Sequence, residues 1–241
     1  VIATHKRPLL LQRALRSLVA QTFQDFCVIV VDDAGDFLPP YPELKQLQGR
    51  YAYLMAPTLQ GPGESRDMAV KLAQSDYVLF LDDDDTYHTQ HLHNVAQLIE
   101  GKADKIYFTD FTVIHEDRQP NTLPQAISEQ RMSVSAADKS HLFVRNRIPN
   151  CCLVYPLAGI RGKTHDTTLV VYEDWDYLLQ CLAELELEHI STDTVNIHKC
   201  KPTSESNQRR GNQGSHLALQ ATLRVHARHP APTPAIAQAR I

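Results

Sequence analysis

The sequence predicts an α/β fold built on a doubly wound, mostly parallel sheet. Three observations predict it. Apolar runs of strand length alternate with stretches whose apolar residues recur at helical spacing. The runs CVIVV (27–31) and YVLFL (77–81) are continuous, as in strands buried on both faces. Polar or acidic residues end the runs, namely Thr4, Asp32-Asp33 and Asp82 to Asp85. They fall at carboxyl ends, where such sheets take their ligands.

Each element follows from local chemistry. Val1 to Thr4 reads as the end of a first strand, and Pro8 as a first helical residue. Leu10, Leu11, Ala14, Leu15, Leu18 and Val19 carry the helical spacing that follows. Pro39, Pro40 and Pro42 mark a loop, and Tyr51 to Met55 a third strand. Gly61-Pro62-Gly63 is a sharp loop before a helix with Met68, Ala69, Leu72 and Ala73, capped by Glu64 or Ser65. Leu92, Val95, Ala96 and Ile99 make another helix, and Ile106 to Ile114 alternates like a strand. Residues 116–147 are polar with few clear periods. A further apolar stretch covers Ile148 to Tyr155. Asp174 to Leu187 reads as a helix with Trp175, Leu178, Leu179, Leu182 and Leu185 inward. Ile190 to Ile197 reads as a returning strand, 201–215 as a polar loop, and Leu217 to Val225 as a helix. The end, HPAPTPAIAQARI, reads as a linker or tail.

Composition narrows the function. A net charge of −4 argues against a nucleic-acid surface, which needs a basic stripe. No apolar run approaches the roughly 18 residues of a membrane span. The chain opens at Val1 inside a strand-like run and reads as a piece of a longer one. The five cysteines include no C-x-x-C pair. Three of them (Cys27, Cys152 and Cys181) lie in apolar surroundings, and the set reads as reduced structural thiols. His88, His91 and His93 read as surface imidazoles rather than a zinc site. Trp175 reads as a helix anchor, and Arg209-Arg210 as a solvated pair.

Four adjacent carboxylates, Asp82 to Asp85, repel one another at the end of a buried strand unless cations meet them. In extended backbone, Asp82 and Asp84 would share a side. Such an oxygen-rich pair is half of a site for Mg²⁺ or Mn²⁺. Thr4, His5, Lys6 and Arg7 place a hydroxyl and cations at a strand-to-helix junction, which favours phosphate. Asp32-Asp33 is open to two readings, a reader of a ribose or base edge and a turn acid. Glu173-Asp174-Trp175-Asp176 is a helix start whose acids suit the dipole.

The segments IATHKRPLLLQRALRSLVAQTF, VIVVDDAGD, GPGESRDMAVKLAQSDYVLFLDDDD and YEDWDYLL together resemble the family 2 glycosyltransferases of GT-A fold. The resemblance covers residues 1–100 strongly and resumes over 149–200. It implies a GT-A sheet with a smaller acceptor-side region. It implies residues 1–115 as the nucleotide-sugar half and 116–200 as the acceptor and base half, with 201–241 a C-terminal loop, helix and tail. It further implies transfer of a sugar from a nucleoside-diphosphate donor, UDP-sugar by preference, to a glycan or lipid-linked glycan hydroxyl with inversion. Thr4, His5, Arg7, Asp33, Arg66, Asp82 and Asp83 would hold the nucleotide. Asp84, Asp82 and His198 would hold Mn²⁺ or Mg²⁺, and Asp174 would be the base. His5-Lys6 stands where Tyr-Asn is common, and Asp67 where Asn is. The implied location is cytoplasmic, at or near the inner face of the membrane. Two alternatives stay open: a non-catalytic sugar-nucleotide-binding module, and a sugar nucleotidyltransferase, which normally has a Gly-rich first loop that IATHKRP lacks.

Overall fold

The computed structural model describes residues 1–35, 37–119, 122–200 and 215–241. β1 (Ile2–Thr4) runs into α1 (Pro8–Val19), which has proline in its first turn. Leu11, Ala14, Leu15 and Leu18 form its buried stripe, as the spacing predicts. β2 (Val28–Asp33) extends two residues beyond the expected run, so both aspartates belong to the strand and are buried. The proline-rich loop continues into a short helix, α2 (Tyr41–Gln46). β3 (Tyr51–Ala56) follows, and β1, β2 and β3 pair in parallel. Register sets Thr4 beside Asp32, and Asp33 beside Ala56.

α3 (Pro62–Leu72) begins earlier than expected, at Pro62. Its cap is Gly61 at φ 95°, a conformation glycine adopts without steric cost. β4 (Tyr77–Leu79) is shorter than YVLFL predicts, but Leu81 N still donates to the Val1 carbonyl at 2.9 Å. That bond joins the β1 sheet to the next one. β5 (Thr86–Tyr87) and α4 (His91–Ile99) follow.

The expected strand from Ile106 to Ile114 is two strands in different sheets, β6 (Ile106–Phe108) and β7 (Phe111–Asp117). The polar stretch after it holds β8 (Gln125–Met132) and α5 (Lys139–Val144). Beyond a 3-10 turn (Asn150–Cys152) come β9 (Leu153–Pro156), α6 (Leu157–Ile160) and α7 (Glu173–Leu182). α7 stops short of the expected Leu187, which instead opens β10 (Leu187–His189), and the expected strand from Ile190 to Ile197 is regular only from Val195, in β11 (Val195–Cys200). α8 (Ser215–Arg228) and α9 (Pro234–Ala239) close the chain. The Pro/Ala-rich end is therefore helical rather than a loose tail. Thr233 caps it by accepting from Ile236 N at 3.3 Å. Arg209-Arg210 lie outside the described residues.

The strand orders are β1-β2-β3, β10-β6-β9-β4 and β5-β11-β7-β8. The α/β class stands, but the second half is mixed: β9 runs antiparallel to both β4 and β6, and β8 antiparallel to β7. Ile2, Val30, Phe80, Tyr155 and Tyr177 lie in one buried cluster. Phe80 and Tyr177 each meet Tyr155 edge to face, with centroids 5.7 and 5.9 Å apart. Trp175 is buried as an anchor, its indole N–H donating to the Leu142 carbonyl at 2.8 Å. All five cysteines are free; Cys27 is exposed, contrary to its apolar surroundings in sequence. His91 is buried rather than superficial and stacks on Tyr87 at 4.0 Å. Burial pushes its imidazole down to about 3, so it is a neutral core residue. Among the described residues no helix is long and apolar enough to cross a membrane.

Close packing at one glycine makes a test. A Cβ on Gly63 would lie 2.7 Å from the His165 Cβ, so α3 and the 165 segment would have to separate. Gly63→Ala is expected to lower stability by about 1–3 kcal/mol in urea titration. An unchanged midpoint would show that this contact is not tight.

Candidate active site

A cavity of about 330 Å³ opens at the carboxyl edge of the β1 sheet. Six carboxylates (Asp33, Asp82, Asp83, Asp84, Glu173, Asp174) line it, against two guanidinium groups, Arg7 and Arg66. Thr4, His5 and Val170 to Tyr172 also line it. Nearly every site residue expected from sequence therefore meets in one place. His198 is the exception; it lies behind Asp84 and is not part of the lining.

The four aspartates do not alternate along a strand. The backbone turns at Asp83-Asp84, with Asp85 N donating to the Asp82 carbonyl at 3.0 Å. This turn, not the period of two, brings Asp82, Asp83 and Asp84 to the same cavity. Asp82 accepts from Arg66 at 2.8 Å. Asp83 accepts from the Thr4 hydroxyl at 2.7 Å and from Arg7 Nε at 3.1 Å. Arg7 reaches back because Lys6, at φ 53°, turns the chain sharply after β1. Asp84 Oδ2 accepts from Arg118 Nη1 at 3.1 Å, and Arg7 Nη1 lies 3.7 Å away. Asp85 faces the other way. It accepts from His198 N at 2.7 Å and from the Cys151 thiol at 3.3 Å.

Asp33 has a structural task. Its two oxygens accept from Gln60 N and Gly61 N, each at 2.7 Å, which ties β2 to the start of α3. Its backbone carbonyl faces His5 Nδ1 at 2.5 Å. On the far wall, Arg66 Nη1 donates to Glu173 at 3.0 Å, so one buried guanidinium bridges Asp82 and Glu173. Asp174 is half-buried beside them, with Oδ1 accepting from Trp175 N at 2.8 Å. Desolvation and the neighbouring Glu173 push its carboxyl up to about 7, against the opposing charge of Arg66. Burial likewise pushes Asp83 up to about 6, despite Arg7.

Several residues here were not anticipated. His165 donates twice to Asp67, from its backbone N at 2.9 Å and its Nδ1 at 2.6 Å. The carboxylate meets both groups as an acceptor, where an asparagine would meet one of them as a donor. Arg13, Glu116 and Arg118 gather behind Asp84. No motif in the polar stretch after residue 115 marked Glu116 or Arg118. The one available signal was a lone E-x-R at the end of an apolar run.

The donor set suits a hard divalent cation. Carboxylates exceed the guanidinium groups in the cavity lining, and burial raises the pKa of two of them. One group of three ligand atoms falls within 4.8 Å among the described residues, from Asp82, Asp85 and Cys151. Burial, its hydrogen bond to Cys152 and nearby Asp85 keep the Cys151 thiol protonated, so we regard that trio as structural. His198 has both ring nitrogens engaged, Nδ1 with Glu116 and Nε2 with Thr86, each at 3.0 Å.

A wound α/β sheet whose strand ends open into an acidic cleft defines a ligand-handling domain of enzyme type. The chain belongs to Glycosyl transferase family 2, whose sequence model matches residues 1–156. It is 40% identical over 116 residues to the succinoglycan biosynthesis protein ExoW of Rhizobium meliloti (strain 1021), covering 44% of this chain and 35% of that protein. It is 32% identical over 100 residues to the GalNAc(5)-diNAcBac-PP-undecaprenol beta-1,3-glucosyltransferase of Campylobacter jejuni, covering 40% of this chain and 32% of that protein. These matches span about a third of each relative's length. S. aureus TarS 1-349 in complex with UDP-GlcNAc superposes with a TM-score of 0.68 at 17% identity, over 99% of this chain and 69% of that one. At that identity the likeness is one of fold, and it agrees with the GT-A sheet that the resemblance implies.

The raised Asp174 carboxyl has a thermodynamic signature. Its folded value of about 7 exceeds the ordinary 3.8, so the folded state holds a proton that the unfolded state has released. Stability is then lost as pH rises from about 4 to about 7. Asp174→Asn removes this contribution. Urea titrations of the ligand-free protein at pH 5 and 7.5 are expected to show a smaller loss in the variant than in wild type. Equal losses would refute the shift.

Proposed function

We propose that this chain carries the catalytic centre of a glycosyltransferase that inverts the anomeric carbon in one displacement. The donor is a nucleoside-diphosphate sugar, with UDP-sugar favoured. The acceptor is a hydroxyl of a glycan or lipid-linked glycan. The observation that carries the reading is the meeting of Asp174, with its raised carboxyl, and the Asp82–Asp84 turn in one cavity. A base near neutrality and a phosphate-binding edge are the two groups that such a displacement needs on opposite sides of the sugar.

In this reading residues 1–115 form the donor half, 116–200 the acceptor and base half, and 201–241 a C-terminal appendage. Thr4, His5, Arg7, Asp33, Arg66, Asp82 and Asp83 surround the nucleotide. Asp82 and Asp84 would hold Mn²⁺ or Mg²⁺; His198, expected as a third ligand, would have to give up its Thr86 contact to join them. The ion's chemistry is neutralisation of the leaving diphosphate. Asp174 takes the proton from the acceptor hydroxyl. Arg66 orients that carboxylate's neighbour, Glu173, and keeps the acids of the cleft from repelling one another apart. The name of the Campylobacter relative includes an undecaprenol carrier, which favours a lipid-linked acceptor and work at the inner membrane face. The binding-module alternative lacks a reason for a base with a raised pKa.

Two variants separate the roles. Asp174→Asn is expected to lower turnover by about 10²–10⁴ while UDP and Mn²⁺ still raise the melting temperature. Asp84→Ala is expected to abolish the Mn²⁺-dependent part of that rise. For wild type, UDP at 100 times its dissociation constant adds about 2.7 kcal/mol, a rise of roughly 5–10 °C. Full turnover in Asp174→Asn rejects the base, and an intact Mn²⁺ effect in Asp84→Ala rejects the ligand.

A further inference from the structure

The charges behind Asp84 are organised by a residue outside the cleft. Glu116 is 1% exposed, near the end of β7. Its Oε2 accepts from Arg13 Nη1 at 2.7 Å and faces His198 Nδ1 at 3.0 Å. Its Oε1 accepts from Arg118 Nε at 2.5 Å. The partners come from α1, from β11 and from the segment just after β7. β7 and β11 pair in parallel with Ile114 beside His198, so Glu116, two residues on, lies on the same face of the sheet. Burial alone would raise its carboxyl. Hydrogen bonds from His198 and Arg13 overcome this and hold it down at about 2, fully ionised at neutral pH.

Each partner also reaches the acidic turn. Arg13 Nη2 donates to the Asp84 carbonyl at 2.5 Å, and Arg118 Nη1 to the Asp84 carboxylate at 3.1 Å. Arg118 Nη2 donates to the His198 carbonyl at 3.2 Å, and His198 N to Asp85 at 2.7 Å. Among the described residues, the contacts that Arg13, Arg118 and His198 make with the turn thus share one carboxylate behind them. We propose that Glu116 is a positioning residue for the donor site: it fixes Arg13, Arg118 and His198, and through them the shape of the Asp84-Asp85 turn that receives the cation and diphosphate.

The proposal rests on the donor-site reading above, and its test separates the two. The readout is the Mn²⁺ concentration that gives half of the UDP-dependent rise in melting temperature, on the full chain. Glu116→Gln keeps the volume and removes the charge. It is expected to need at least about tenfold more Mn²⁺, with Glu116→Asp recovering part of the difference. A purely structural ion cluster would lower the melting temperature and leave the Mn²⁺ midpoint in place, and that result overturns the proposal. Should Glu116→Gln fail to fold, Arg13→Gln on the half-buried face of α1 decides in the same way: a higher midpoint supports the proposal, and an unchanged one overturns it. A wild type without any Mn²⁺-dependent response to UDP overturns the donor-site reading instead. Amide exchange at His198, measured without ligand, then judges Glu116. Exchange about tenfold faster in Glu116→Gln supports it, and equal protection overturns it.

Discussion

Four consecutive aspartates at the end of a central strand are the constraint on which the rest of the structure depends. Each is met by a different part of the chain: Asp82 by Arg66 of α3, Asp83 by Thr4 and Arg7 after β1, Asp84 by Arg118 beyond β7, and Asp85 by β11 and the 3-10 turn. Asp83, Asp84 and Asp85 are almost fully buried. Losing the partner of a buried charge costs about 3–5 kcal/mol, far more than an exposed pair contributes. The acidic turn therefore acts as a junction where elements distant in sequence must arrive together. The hydrophobic cluster beneath it supplies bulk stability but is tolerant of position. The charges at the strand ends are not, because each accepts hydrogen bonds at fixed lengths.

Burial leaves Asp83 and Asp174 with raised pKa values although arginines stand beside them. A fold optimised for stability alone would replace such acids with neutral groups. Keeping them costs the free protein stability, and anything that bound the folded state at this edge would restore some of it. Strain is found at the same edge. Lys6 at φ 53° and Tyr172 at φ 65° are both left-handed residues without the excuse of glycine, and each directly precedes a residue of the cavity wall.

What was legible in the sequence follows from how local each signal is. The first hundred residues read well, because continuous β-rich runs and helical stripes are set by neighbours along the chain. The gathering of Thr4, Asp33 and Asp82 to Asp84 followed from strand ends in a parallel sheet. A turn at Asp83-Asp84 replaces the alternation that extended backbone would give Asp82 and Asp84. The strand-like stretch 106–114 is two strands, and 190–197 is a strand only from Val195. Side-chain polarity carries no record of a chain leaving one sheet for another at Thr109-Asp110. Glu116, Arg118 and His165 were invisible for a related reason. Their meaning lies in partners tens of residues away: Arg13, Asp84 and Asp67.

α3 shows how the two sides of the cavity are held in one geometry. Gly63 packs against His165, Arg66 binds Glu173, and Asp67 binds His165 twice. A single helix thus makes these contacts to residues about a hundred positions later. Between α6 and α7 that segment contains no regular element, so its own backbone does little to fix it. Tyr172, Glu173 and Asp174 follow directly from it. The placement of Asp174 opposite the acidic turn is then inherited from α3, whose own start is tied to β2 through Asp33 and Gly61. The departure from asparagine at Asp67 makes sense in this light. A carboxylate there grips both a backbone N–H and an imidazole, and it does so one residue from the arginine that joins the two sets of acids.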